Sequence, residues 1–340
     1  MTPPPDCSVA ALTPTAAATV DLRANLGTLG SAQASAGLSG DARSFATAVL
    51  ADASRLARPR IALMVLATVV ASMWLTAGRG VAGGEVFWLL LGTTLVAASS
   101  SIANQILERD LDRLMPRTSR RPIAAGRLSV PAATMLATLL VVAGGLVITL
   151  ASGWQPAAAA VVTWLLYVAV YTPLKTRSPL NTAVGAISGA LPVAIGWLAA
   201  DGPQRLAGGE ASGALAVAAL ATVLYLWQFP HFMAIAWLYR GQYAAAGMRM
   251  LTVDDPSGLR AAGQALAASL AMVPVSLVLA VPSGSIRLFL AAAVASIVYA
   301  VATVGFAVRR DDASARLLLF TSLGSLLALL TAAVVFGPPS

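Results

Sequence analysis

The sequence predicts an all-α fold: a polytopic transmembrane helical bundle of about nine spans with its N-terminus in the cytoplasm. Three observations carry this. Of the 340 residues, 58% are hydrophobic and only 11% charged, where a soluble domain has about 25% charged. The mean hydropathy is +0.80. Strands of alternating polarity are absent, so backbone groups in lipid must pair within helices and not in a closed barrel.

The elements follow in chain order. Residues 1–45 are rich in Ala, Ser, Thr, Pro and Gly without helical apolar periodicity, the composition of a disordered cytoplasmic tail. A cleaved targeting peptide is the competing reading, opposed by Asp6, Asp21 and Asp41 and by the scarcity of arginine. Residues 46–340 read as a single membrane domain. After Arg58-Pro59-Arg60 come apolar runs near 61–78, 86–107, 131–152, 155–172, 181–200, 212–236, 262–281, 286–308 and 315–336, each of about the 20 residues a crossing needs. The fourth is short and closely linked to the fifth, so eight spans are the alternative. With the N-terminus inside, inner segments hold nineteen of the 22 Lys and Arg, and outer loops hold only Arg79, Arg205 and Arg287. Basic residues concentrate in cytoplasmic loops, which accounts for the net charge of +8 without a nucleic-acid partner.

Cys7 and His231 are the only cysteine and histidine. Intrachain disulfides, Cys/His zinc sites and multi-histidine copper or iron sites are thereby excluded. A metal held by several side chains must use Asp, Glu or Asn oxygen.

The stretch NQILERDLDRLMPRTSRRP (104–122) closes the second apolar run. Carboxylates cost about 2.5–3.5 kcal/mol each at the centre of a membrane helix, so a group of them marks a functional site. Asn104, Glu108 and Asp112 stand four apart and share one helix face. An amide and two carboxylates make a hard oxygen set suited to Mg²⁺. Asp110 lies between the last two, and Arg109, Arg113, Arg117, Arg120 and Arg121 follow. Oxygen ligands for a divalent ion beside a cationic strip suit a diphosphate. The bland alternative is a solvated cytoplasmic loop. Lys175 is the only lysine; it is either a topology signal or, on the same side as the acids, a phosphate contact.

These residues resemble a known family. NQILERDLDRLMPRTSRRPIAAGRLS is similar to the first aspartate-rich motif of the UbiA superfamily of intramembrane prenyltransferases, in the Asn-x3-Glu-Arg-Asp-x-Asp form of its protoheme IX farnesyltransferase (haem O synthase) branch. LARPRIALMVLATVVA (56–71), YTPLKTRSPLNTAVGAISGALPVAIGW (171–197) and WQFPHFMAIAWLYRGQYAAAGMRMLTVDDPSG (227–258) resemble three further segments of that branch, in order. The resemblance covers about residues 50–335.

It implies transfer of a farnesyl group from farnesyl diphosphate to a vinyl group of haem b, giving haem O for haem-copper oxidase assembly. Haem b is then a substrate, and Mg²⁺ the cofactor. By the same resemblance Asn104, Glu108 and Asp112 bind Mg²⁺ with Asp110 beside them. Arg109, Arg113 and Lys175 hold diphosphate oxygens, Tyr171 bonds near them, and Arg60 is a further contact for the anion. His231 contacts haem through its iron or a propionate, or else is satisfied by a backbone carbonyl. The implied setting is the inner (cell) membrane, multi-pass, with the active site facing the cytoplasm and a haem A synthase or oxidase assembly factor as partner. The branch usually has acids where Gly241 and Gln242 stand, which counts against a second Mg²⁺ in that loop. Asp254 and Asp255 either fold back to replace them or form a solvated turn ahead of a helix. The competing functions are another intramembrane aromatic or quinone-type prenyltransferase, and a non-catalytic haem-binding membrane protein or transporter.

Overall fold

The computed structural model describes residues 47, 49–78 and 81–337. Two compact units divide the chain, Met1–Ala51 and Asp52–Ser340. In the first, residues 47 and 49–51 are described and helical; the tail expected over 1–45 lies outside the described residues. Everything below belongs to the second.

Among the described residues nine helices are long and apolar enough to cross a membrane: α1 Pro59–Ala77, α2 Gly83–Leu107, α3 Val130–Ser152, α4 Trp154–Leu174, α5 Asn181–Ala199, α6 Ala211–Leu238, α7 Leu259–Val278, α8 Ile286–Arg309 and α9 Asp312–Phe336. No end departs from expectation by more than three residues (86 expected and 83 observed for α2). The fourth and fifth spans are separate. Local chemistry sets the ends. Pro59 sits in the first turn of α1, and Ser129 Oγ accepts from Ala132 N at the start of α3. Asp311 and Ser314 form a reciprocal capping box on α9.

Two helices depart from regularity near the site. α5 is broken at Leu191, ahead of Pro192. Within α4, Leu166–Tyr171 is a π-helical stretch, closed by Thr172 N–H on Tyr167 O; such wide turns recur at functional sites.

Two of the core clusters are large. One gathers Val69, Met73, Leu89, Val96, Ile148, Ala160 and Ile195 from α1 to α5. The other centres on α6, with Leu220, Val223, Trp227 and Met233 against Met272, Tyr299, Phe306 and Leu326 of α7 to α9. Small residues set a close crossing. A Cβ on Gly92 would lie 2.8 Å from Gly144 O, and one on Gly144 2.7 Å from Gly92 O, so α2 and α3 meet backbone to backbone.

The polar connections gather at one end of the bundle. Short helices Arg109–Leu114, Arg240–Ala245 and Leu251–Asp254 follow α2 and α6 there. Arg127 pairs with Asp52 at 2.7 Å, Arg249 N donates to Lys175 O at 2.7 Å, and Arg240 pairs with Asp312 at 3.0 Å. With Lys175 paired to Glu108, residues 52–60 and the four later segments assigned to the inner side thus share one end.

Candidate functional site

The site is built on the last turn of α2. That helix ends at Glu108, and a new one starts at Arg109. Glu108 N still donates to Asn104 O (2.9 Å) and Asp112 N to Glu108 O (2.7 Å), so the four-residue spacing survives the break. Asn104, Glu108 and Asp112 are 0%, 5% and 0% exposed.

Each buried carboxylate has a basic partner from outside its own helix. Lys175 Nζ lies 2.6 Å from Glu108 Oε1. Arg121 Nη1 lies 2.7 and 2.6 Å from the two Asp112 oxygens and 3.6 Å from Glu108 Oε2. Asn104 Nδ2 donates to Thr172 Oγ1 (3.1 Å), which donates to Tyr167 O (2.9 Å) in the π stretch of α4. Tyr171 ends that stretch and Lys175 follows one turn later, with Nζ 4.5 Å above the Tyr171 ring. Gly185 of α5 backs the ring; a Cβ there would lie 2.7 Å from Tyr171 Cε2.

Two of the buried atoms without a partner belong to this charged cluster, where Arg58 acts on Glu108 and Arg121. Asn104 Oδ1 and Arg58 Nη2 are buried with no hydrogen-bond partner. Buried polar groups nearly always find one, so an acceptor and a donor stand open in one charged cluster. Arg58 caps α1 in the left-handed region (φ 49°). The following proline disfavours the helical conformation there, and strain of this kind gathers at functional sites.

The charges perturb one another. Burial pushes Glu108 up, but Lys175, Arg121 and Arg58 outweigh it and hold its carboxyl below the usual range. Burial pushes Asp112 up, and Arg121 only partly offsets this. Burial alone would lower Lys175; Glu108 raises it instead. Arg121 is lowered by burial and by Arg58.

Several expected residues stand elsewhere. Asp110 is 72% exposed and pairs with Arg109 (3.0 Å) and Arg113 (3.1 Å). At about 100° per residue, positions 109, 110 and 113 leave the face that carries 104, 108 and 112, so these three form a surface ion-pair group. Arg60 is exposed, and its near neighbour Arg58 turns inward. His231 lies within α6; its Nδ1 is 2.7 Å from Ser322 Oγ on α9 and its ring stacks on Trp227, so its partner is a hydroxyl and not the backbone carbonyl of the alternative reading. Asp254 pairs with Arg249 (2.9 Å), and Asp255 accepts from Ser257 N and Arg260 N, so both belong to the turn ahead of α7. Gln242 Oε1 is buried and unpaired. Arg117 stacks over Tyr239 (4.6 Å) and donates to Tyr243 (3.2 Å).

Arg58, Thr172 and the pairing of Arg121 were missed as site features. Arg58 carried a usable signal in the Arg-Pro step; Arg121 sits in a turn-rich segment without periodicity. Among the described residues no group of three His, Cys, Asp or Glu could hold a metal. The available set is two carboxylates and the Asn104 amide oxygen. Its hard oxygens and unpaired Oδ1 fit Mg²⁺.

The UbiA prenyltransferase family profile matches residues 65–334. The chain is 46% identical over 225 residues to the protoheme IX farnesyltransferase of Rhodopirellula baltica, covering 66% of this chain and 76% of that one. It is 34% identical over 232 residues to that of Koribacter versatilis, covering 67% and 72%. Among solved structures, a digeranylgeranylglyceryl phosphate synthase superposes with a TM-score of 0.68 at 14% identity, covering 85% of this chain and 98% of that one. A UbiA homolog from Archaeoglobus fulgidus bound to DMAPP and Mg²⁺ gives 0.60 at 17%, covering 84% and 99%. These two share the fold.

Proposed function

The chain belongs to the UbiA prenyltransferase family, in its protoheme IX farnesyltransferase branch, and on that footing we propose that it moves the farnesyl group of farnesyl diphosphate onto a vinyl group of haem b, giving haem O. The observation that carries this reading is the pair of open atoms in the cluster: Asn104 Oδ1 seeks a cation and Arg58 Nη2 an anion. A Mg²⁺-bound diphosphate supplies both.

Asn104, Glu108 and Asp112 would hold the Mg²⁺, which when bound neutralises diphosphate oxygens and eases departure of the leaving group. Lys175 and Arg121 leave the carboxylates for the phosphate oxygens, joined by Arg58. The site then carries three cations and two carboxylates, an excess that suits an anionic ligand. Tyr171 stays beneath Lys175 and keeps it aimed. The apolar bundle excludes water while the allylic cation forms. That cation bonds to the vinyl carbon, and one water completes the hydroxyethyl group with loss of a proton. His231 is the proposed haem contact. The basic asymmetry of the loops supports a cytoplasm-facing site in the cell's inner membrane. The product would serve haem-copper oxidase assembly, with a haem A synthase or assembly factor as partner. A second Mg²⁺ is not proposed, because Gly241 and Gln242 supply no charge.

The test is mass spectrometry of haems extracted from haem O-deficient cells carrying the chain or its Asp112→Asn variant. Haem O with the first and only haem b with the second is expected. Prenylated quinone precursors with haem b untouched would instead favour an aromatic prenyltransferase. Bound haem without any product would favour a non-catalytic haem-binding protein.

A further inference from the structure

One polar group inside the bundle takes no part in the diphosphate cluster. His231 lies seven residues before the end of α6, about 10 Å along the axis, and it is the only histidine of the chain. Ionisable residues at such depth are rare and usually functional. Its ring stacks on Trp227, with centroids 4.7 Å apart and planes at 22°. Trp227 is itself pinned, because its Nε1 donates to Ser322 O (2.8 Å) and its carbonyl accepts from Tyr299 Oη (2.7 Å). The ring plane is therefore set by contacts from α8 and α9.

Its tautomer is set as well. His231 Nδ1 lies 2.7 Å from Ser322 Oγ, and the same hydroxyl lies 2.6 Å from Leu319 O. A serine hydroxyl has one proton to give, and a carbonyl oxygen can only accept. Both short contacts are hydrogen bonds only if Ser322 donates to Leu319 O and accepts from Nδ1–H. The proton is then on Nδ1, and Nε2 keeps its lone pair. Among the described residues no hydrogen bond reaches Nε2, and the residue is half-buried.

We infer that Ser322 is a positioning residue: it locks His231 in the Nδ1–H tautomer, so that Nε2 is presented as a neutral ligand to the iron of the porphyrin acceptor. This rests on the haem reading above and decides between its two forms. A lone pair on Nε2 suits a metal ion; it cannot donate to a propionate.

The test uses the full chain in lipid nanodiscs. Because there is one histidine, ¹⁵N-histidine labelling gives one pair of ring signals, read without haem. A protonated Nδ1 and bare Nε2 are expected; a protonated Nε2 would overturn the inference. Haem b and iron-free protoporphyrin IX are then titrated in. Ser322→Ala should weaken haem b about 10-fold, as loss of an outer-shell partner does, with protoporphyrin unchanged and Ser322→Thr restoring haem b. His231→Ala should abolish the imidazole-ligated Soret signature. Equal losses for both porphyrins, or a Soret band indifferent to His231→Ala, would refute it. Farnesylated haem from the unaltered protein is assayed separately. If it forms and these signatures fail, only the role of Ser322 and His231 falls. If it does not form, the haem reading falls.

Discussion

Replacing Lys175 by Met removes the partner of Glu108 at 2.6 Å, in a pair whose side chains are 12% and 6% exposed. Breaking a buried pair by deleting one member costs about 3–5 kcal/mol, because a charge is left uncompensated. Arg121 still stands 3.6 Å from the other Glu108 oxygen, so the lower end, about 3 kcal/mol, is expected. Two consequences separate on addition of Glu108→Gln. Removing both charges leaves a neutral pair, so the double variant should recover to within about 1 kcal/mol of the parent. Activity should not recover, because Glu108 is a proposed Mg²⁺ ligand and Lys175 a proposed diphosphate contact. Unfolding followed by tryptophan fluorescence in nanodiscs reads the first effect, and radiolabelled farnesyl transfer the second. A Lys175→Met chain as stable as the parent, or a double variant as unstable as the single one, would refute the coupling.

Arg58→Ala should raise KM for farnesyl diphosphate by roughly 10-fold, the loss of one charge-assisted hydrogen bond, while Arg60→Ala should stay within twofold; the reverse order in steady-state kinetics would remove Arg58 from the site. Gly185→Ala should displace the Tyr171 ring and cost about 1–3 kcal/mol by overpacking, lowering both the unfolding midpoint and farnesyl transfer. Divalent-ion binding should fail on the acid side at a pH above 3.8, the ordinary Asp value, because Asp112 is raised and a ligand must be deprotonated. Glu108 acts in the opposite sense on stability: its contribution is present above 4.5 and lost as the pH falls through its lower folded value. Mn²⁺ binding followed by electron paramagnetic resonance across pH checks the first, and an acid limb at or below 3.8 would count against it. Gln242→Asp should tighten Mn²⁺ binding if the unpaired Oε1 faces the ion site; unchanged affinity would separate Gln242 from it.

Much of the fold was legible because crossings are long and lipid tolerates little else. The nine runs needed only length and apolarity. The face of Asn104, Glu108 and Asp112 was legible too, since a four-residue spacing holds even where the helix restarts at Arg109. Partners brought in from afar were not. Arg121 reaches Asp112 by way of the turns of residues 115–128, and Arg58 is aimed by a left-handed cap. Acidity alone does not bring Asp110 to the cluster; its neighbours in sequence, Arg109 and Arg113, pair with it at the surface. Ser322 could not be linked to His231 from the sequence, because 91 residues separate them.

The wide turn in α4 has a consequence for how this protein tolerates change. Leu166–Tyr171 holds one residue more than an ordinary helical turn would need. Deleting a single residue there would tighten the turn and swing everything after it by about 100°. The lone lysine would then leave its acid, and its aromatic floor would turn with it, while the span stayed apolar and long enough to cross. Insertions and deletions in α4 should therefore be silent for membrane insertion and ruinous for chemistry.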